Sequence, residues 1–191
     1  MMERIMISGS GGDGAVFLGK TLSWAAMSAG RGYYTTGLPS YGPEIRGGTS
    51  RTEVIISDAP IGSPVNTTFE SLIVFNDMSL ERFEPGIVSG GLAVYNADVV
   101  TRPVTRDDVT ALAVHASAEA QALGNSRLMN VVTLGVWAAK KGDVLSRDAL
   151  VEGLRHMAKH AKLFELNCRA LDRGLAVARE LVEREAALAR R

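Results

Sequence analysis

Apolar positions fall into short, nearly continuous runs in the first half of the chain and into helical spacing in the second. Residues 4–8 (Arg-Ile-Met-Ile-Ser) read as a short buried strand. Residues 71–75 (Ser-Leu-Ile-Val-Phe) and 91–95 (Gly-Leu-Ala-Val-Tyr) have the same character, which suits central strands covered on both faces. Residues 33–37 (Tyr-Tyr-Thr-Thr-Gly) are aromatic and β-branched and predict a second strand. Residues 50–57 predict another, with partial alternation, closed by a turn at Asp58-Ala59-Pro60. By contrast, Ala15 to Ala29 sets Val16, Leu18, Leu22, Ala25, Ala26 and Met27 among good helix formers. Gly30 and Gly32 end that helix as C-terminal caps do.

Residues 80–85 predict a helical turn stopped by Pro85, and after about residue 106 the chain turns helical. Residues 107–123 and 126–140 have helical composition. Ser146 opens a capping pattern, with Asp148 and Ala149 following and a helix predicted through His160. Residues 168–190 form a long helix with Leu171, Leu175, Ala178, Leu181 and Val182 near helical spacing. With no repeat and no disordered linker, the expectation is one α/β domain over residues 1–191. Its architecture is predicted as a Rossmann-like three-layer α/β/α domain with a helical C-terminal part.

The first strand runs directly into Gly9-Ser10-Gly11-Gly12-Asp13-Gly14, and the first helix follows at once, the opening of a βαβ unit. Gly9, Gly11 and Gly14 have the spacing of a dinucleotide fingerprint. Glycines let backbone approach an anion closely, and a helix N-terminus adds unpaired N–H groups and partial positive charge. A dinucleotide fold also places an acidic residue about 20 positions on, for the ribose hydroxyls. There the chain has Tyr33, Tyr34, Thr35, Thr36 and Gly37, with no carboxylate before Glu44, which disfavours NAD. A tight strand–helix turn without a ligand is the plain alternative. Gly12-Asp13-Gly14 also matches the opening of the thiamine diphosphate motif, whose aspartate holds magnesium. The first asparagine of the chain, Asn66, lies too far downstream to complete it.

Composition narrows the class. Lys plus Arg and Asp plus Glu both number 21, so the formal net charge is zero. A general nucleic-acid binder carries a basic excess, which is missing here; a surface of zero net charge favours life inside a complex. The single cysteine, Cys168, forms no internal disulfide and holds no iron–sulfur cluster. One reduced thiol fits a cytoplasmic location. The N-terminal residues Met1 to Ile7 lack the apolar region of a signal peptide, and no apolar stretch approaches the roughly 18 residues of a membrane span.

A second constellation, Ser40-Tyr41-Gly42-Pro43-Glu44-Ile45-Arg46-Gly47-Gly48, packs an aromatic, an acid, an arginine and a glycine pair into one loop with fixed turns. Its plain explanation is a structured connection with a local Glu44–Arg46 pairing. Taken with the glycine loop, it resembles the gamma subunit of the pyruvate, 2-oxoglutarate and branched-chain 2-oxoacid:ferredoxin oxidoreductases, and the equivalent domain of indolepyruvate oxidoreductase. That family shows a Gly-x-Gly-Gly-Gln-Gly loop after its first strand, then Ser-Tyr-Gly-Pro-Glu-x-Arg-Gly-Gly. An Asn with a nearby Gly, and another Asn before the last helix, come later. Here Asn130 with Gly135 and Asn167 with Gly174 correspond, and Asp13 stands where the family usually has Gln.

The resemblance implies a subunit of a thiamine-dependent enzyme that oxidatively decarboxylates a 2-oxoacid, reduces ferredoxin through iron–sulfur clusters and forms an acyl-coenzyme A. It implies alpha and beta partner subunits, and a ferredoxin-like delta subunit in some complexes, of an anaerobic metabolism. Thiamine diphosphate, magnesium and the clusters would lie on those partners; no catalytic residue, resident cofactor, metal, nucleic acid or membrane is assigned to this chain. Gly9, Ser10, Gly11, Gly12 and Gly14 are expected to help hold a phosphate of coenzyme A, with Asp13 weakening that contact. Ser40, Tyr41, Gly42, Pro43, Glu44, Arg46, Gly47 and Gly48 are expected to form a contact with a partner or the edge of the active site. The 2-oxoacid stays open, with 2-oxoglutarate or a general 2-oxoacid expected first. The alternative from another class is a stand-alone small-molecule or nucleotide-binding protein using the glycine loop.

The remaining chemistry-bearing residues have plain explanations. His156 and His160 stand four apart on one predicted helix face, but no third metal ligand accompanies them and they are expected at the surface with His115. Cys168 is expected to be a small core residue. Trp24 and Trp137 are expected to pack within helices.

Overall fold

The computed structural model describes residues 1–41 and 49–188. Its strands are β1 (Met2–Ser10), β2 (Tyr34–Tyr41), β3 (Thr49–Ser57), β4 (Phe69–Val74), β5 (Ile87–Asn96) and β6 (Thr110–Val114). Its helices are α1 (Ala15–Ser28), α2 (Asp77–Phe83), α3 (Ala116–Ala122), α4 (Met129–Lys140), α5 (Arg147–Met157) and α6 (Ala161–Leu188). Single 3-10 turns at Glu84–Gly86 and Ser126–Leu128 join neighbouring elements.

The strands form one sheet in the order β2-β3-β1-β4-β5-β6. β1, β4, β5 and β6 run parallel, whereas β3 is antiparallel to both β1 and β2. Alternation along β1 separates two cores: Ile5 and Ile7 face α1 and α3 to α6, while Met6 faces Leu80 and Phe83 of α2. The result is three layers, one thick and one thin, as expected for an α/β fold with a helical C-terminal part. β2 still runs parallel to β1, as a βαβ unit requires, but β3 lies between them.

Four elements differ from the sequence-based expectation, among them α6, which begins at Ala161 rather than at residue 168 and so contains Asn167. β2 extends through Leu38, Pro39, Ser40 and Tyr41, which read as loop. Proline is tolerated there because β2 is an edge strand. Residues 110–114 form β6 rather than part of a helix: Leu112 and Val114 are buried and Ala113 is exposed, a period of two. The open edge of β5 takes up that backbone and overrides the helix propensity of the alanines. Finally, α5 ends at Met157 with Ala158 extended, so His156 and His160 do not share a helix face. The ring of His156 stacks on Trp24, with centroids 4.1 Å apart, while His160 Nδ1 accepts from the Leu163 N–H at the start of α6.

Two features hold the layers together. The Cβ that alanine would add at Gly135 would lie 2.3 Å from the Leu171 carbonyl oxygen, and at Gly174 2.1 Å from that of Val132, so α4 and α6 touch backbone to backbone. Across the sheet, buried Glu3 accepts from the Ser71 hydroxyl at 2.5 Å and from Lys141 Nζ at 3.0 Å. Ser71 in turn accepts from the indole N–H of fully buried Trp137. Trp137 is thus packing, as expected. Trp24, however, is 38% exposed. It lines a groove of about 330 Å³ between α1 and β2–β3 with Lys20, Met27, Pro39 and Thr52.

Candidate functional site

The topology itself locates the site. From β1 the chain crosses through α1 toward β3 and β2; from β4 it crosses through α2 toward β5. Open α/β sheets bind ligands in the crevice outside the carboxyl ends of two such diverging strands. The glycine loop ends β1, and Phe75 to Asp77 ends β4, so the loop lies on one lip of that crevice.

Gly12 and Gly14 both have positive φ, 112° and 92°, a backbone conformation in which other residues are strained. Gly14 is the residue before α1, and no side chain caps the helix there. Its first-turn N–H groups therefore point at the crevice with their share of the helix dipole. Gly11 and Gly12 are exposed at the tip. Gly9 is bare for a packing reason: a Cβ there would meet Asp13 Oδ2 at 2.8 Å and Phe75 Cβ at 2.9 Å.

Asp13 folds back onto its own loop, and its Oδ2 accepts from the Ser10 N–H at 2.6 Å. Burial pushes its carboxyl above the ordinary range, with the Ser10 N–H pulling the other way. One loop N–H that an anion could use is thus already occupied, which gives the departure from Gln at this position a structural meaning. The Ser10 hydroxyl accepts from Asn76 Nδ2 at 2.9 Å, and Asn76 Oδ1 accepts from the Ser79 N–H at the start of α2. Ser10 therefore ties the two lips together.

Asn76 was not singled out from sequence, nor was Asn96. Asn96 ends β5, is fully buried, donates to Ser117 and accepts from the Ala116 N–H. The available signal was position: each asparagine directly follows an apolar strand run. Nearby, Asp98 accepts from His115 Nδ1 at 2.8 Å and from the Ala118 N–H. Partial burial pushes the Asp98 carboxyl up, but these partners outweigh it and hold it below the usual range.

Asn130 belongs to the same site. It opens α4, and its Nδ2 lies 1.9 Å from where a Cβ on Gly14 would be. Gly135 meets Gly174, and one turn on Ala139 shares a surface groove with Ala178, so α4 and α6 run parallel. Asn130, in the first turn of α4, and Asn167, in the second turn of α6, accordingly lie toward the same end of the helix pair. Asn167 is 3% exposed, and its Nδ2 has no partner among the described residues.

The second loop is only partly described. Ser40 pairs with Arg51 and Tyr41 with Ser50, and Ser50 pairs with Gly9 on the other side. The base of that loop therefore lies two strands from the glycine loop at the same end of the sheet, about 10 Å away. Gly42, Pro43, Glu44, Arg46, Gly47 and Gly48 lie outside the described residues. The same register explains the missing ribose carboxylate: β2 does not adjoin β1, and antiparallel β3 presents its N-terminal end here. Among the described residues no group of three or more His, Cys, Asp or Glu could hold a metal, and no helix is long and apolar enough to cross a membrane. Cys168 is half-buried and burial pushes its thiol up, so it is not an activated nucleophile. What meets at the crevice is backbone N–H groups, hydroxyls and side-chain amides, a set suited to binding and orienting a ligand.

The model of the pyruvate ferredoxin/flavodoxin oxidoreductase family matches residues 4–177. Ketoisovalerate oxidoreductase subunit VorA of Methanothermobacter thermautotrophicus is 37% identical over 183 residues, 95% of this chain but 38% of the relative. 2-Oxoglutarate synthase subunit KorC of Methanocaldococcus jannaschii is 28% identical over 95% of this chain and 96% of its own length. Among solved structures, the gamma subunit of the keto/oxoacid ferredoxin oxidoreductase of Geobacter sulfurreducens superposes with a TM-score of 0.81 at 29% identity, covering 93% of this chain and 97% of that one. The 2-oxoglutarate:ferredoxin oxidoreductase of Magnetococcus marinus, solved with 2-oxoglutarate, coenzyme A and succinyl-CoA bound, shares the fold with a TM-score of 0.81 at 24% identity, over 94% of this chain and 31% of that one.

Proposed function

The chain belongs to the pyruvate ferredoxin/flavodoxin oxidoreductase family, and on that premise we propose that its 191 residues act as one gamma-type domain of a 2-oxoacid:ferredoxin oxidoreductase. The chain spans only 38% of the length of the ketoisovalerate oxidoreductase relatives, and the remaining functions of such an enzyme are assigned in this reading outside these residues. Partners of alpha, beta and ferredoxin-like type would carry thiamine diphosphate, magnesium and the iron–sulfur clusters, in the cytoplasm of an anaerobic metabolism. This chain would contribute the crevice at the glycine loop, where backbone donors hold a phosphate of coenzyme A.

The observation that carries this reading is the placement of the Gly9–Gly14 loop, uncapped and ahead of α1, at the point where β1 and β4 diverge. The exposed groove at Trp24, Met27 and Pro39, beside the strand that leads into the second loop, supports assembly with a partner, since lone soluble proteins seldom expose such patches. Of the 2-oxoacids, a branched-chain acid comes first, because the ketoisovalerate subunits keep 35% and 37% identity over 95% of this chain, whereas 2-oxoglutarate synthase subunits reach 33% and 36% only over shorter parts and 28% over 95%.

Purification through a tag on this chain tests the proposal. Thiamine-binding and iron–sulfur subunits are expected to co-purify, and the material should form acyl-CoA from a 2-oxoacid with ferredoxin reduction. A lone chain with a bound nucleotide would instead establish the stand-alone binding protein. In the assembled enzyme, Gly11→Val should raise the KM for coenzyme A by about 10-fold or more, because each hydrogen bond to a charged group is worth roughly 1.5–3 kcal/mol. An unchanged KM would end the phosphate assignment. Asp13→Asn keeps an acceptor for the Ser10 N–H but removes a charge, so it should lower the same KM by about threefold, the scale of a screened unit charge a few ångströms away.

A further inference from the structure

We propose that Asn130 is a ligand-contacting residue of this crevice, whose amide Nδ2 donates to a phosphate oxygen held at the N-terminus of α1. Asn130 is 7% exposed, and its orientation is determined. The Oδ1 atom accepts from the Val131 N–H at 2.7 Å, one of the first-turn donors of α4 with no carbonyl of its own helix to meet. That bond assigns oxygen and nitrogen, and it turns Nδ2 toward the glycine loop.

There Nδ2 occupies the space beside Gly14: a Cβ on Gly14 would lie 1.9 Å from it and 3.0 Å from Asn130 Cγ. Among the described residues, Nδ2 donates to no acceptor. The amide therefore keeps its donors available at the uncapped end of a 14-residue helix, where an acceptor from outside can meet them. The helix N-terminus supplies donors to an anion and the amide supplies one more beside Gly14, so the ligand group is one rich in acceptor oxygens. Asn130 also offsets Asp13, by adding a neutral donor where the loop's own carboxylate has occupied the Ser10 N–H. The inference rests on the reading of the glycine loop as a phosphate site.

The test is calorimetric titration with coenzyme A of whatever purifies through a tag on this chain, repeated with inorganic pyrophosphate as a probe of phosphate chemistry alone. Asn130→Asp keeps the size and the acceptor for the Val131 N–H but replaces the donor by a carboxylate. It should weaken coenzyme A binding by about 10- to 100-fold, the range of a hydrogen bond to a charged group with added repulsion. Asn130→Ser should fall between that variant and the parent, and both should melt within a few degrees of the parent. Pyrophosphate binding that falls in parallel assigns the contact to the pyrophosphate; loss confined to coenzyme A assigns it to the 3′-phosphate. If both Asn130 variants bind like the parent while Gly11→Val loses binding, Asn130 is no contact and the loop reading stands. If Gly11→Val also binds like the parent, or no titrant binds, the phosphate site falls and this inference with it.

Discussion

Gly174→Val is expected to lower the melting temperature by about 10 °C, since forcing extra carbons into a packed contact costs about 3 kcal/mol and each kcal/mol moves a domain of this size by roughly 2–4 °C. Alanine alone at this position would place its Cβ 2.1 Å from the Val132 carbonyl oxygen and 2.8 Å from Gly135 Cα. These atoms are helix backbone and have no rotamer in which to retreat, so α4 and α6 must separate. Propensity predicts the opposite sign, because alanine exceeds glycine in a helix interior by about 1 kcal/mol. Gly174→Ala therefore discriminates sharply: destabilisation in a thermal melt supports the close crossing, and stabilisation would refute it. Gly62→Ala, in open space, is the neutral control.

An effect at least as large is expected from Lys141→Met, which strands the Glu3 carboxylate in the core. Breaking a buried pair from one side costs about 3–5 kcal/mol. Glu3 is 4% exposed, and burial pushes its carboxyl above its ordinary 4.5, although the Ser71 hydroxyl and Lys141 pull it back. A raised value means that the folded chain holds the proton more tightly than the unfolded one, so stability is complete below pH 4.5 and declines as pH rises through the folded value. Removing the ammonium raises that value further. Urea unfolding should therefore show a larger gap between variant and parent at pH 8 than at pH 5. Glu3→Gln combined with Lys141→Met should recover most of the loss, since an amide still accepts from Ser71 without a charge. Equal gaps at both pH values would exclude Glu3 as the cause.

Much of the sheet was legible because its central strands are apolar runs with one environment on each face. The first helix and the glycine loop were legible because glycine marks backbone that other residues adopt poorly. β6 was not: its alanines suit either state, and the edge of β5 decided. The His156–His160 pairing failed for a similar reason, because a break at Ala158 depends on how α5 and α6 pack. Asn76 and Asn96 were hidden as site residues, and Asn130 was marked only by the family resemblance with no role attached, because an amide declares its role only through the atoms it faces.

By itself, then, the sequence determined the α/β class, the strand–glycine–helix unit and the family resemblance, since these rest on local backbone preference and on motifs read directly along the chain. The tertiary structure alone decided that β3 lies between β1 and β2, that Asp13 turns inward to Ser10 and that Asn130 meets Gly14 from the start of a distant helix. Each of these joins segments far apart in the chain or sets one side chain's direction, and both depend on which surfaces the packed core leaves in contact.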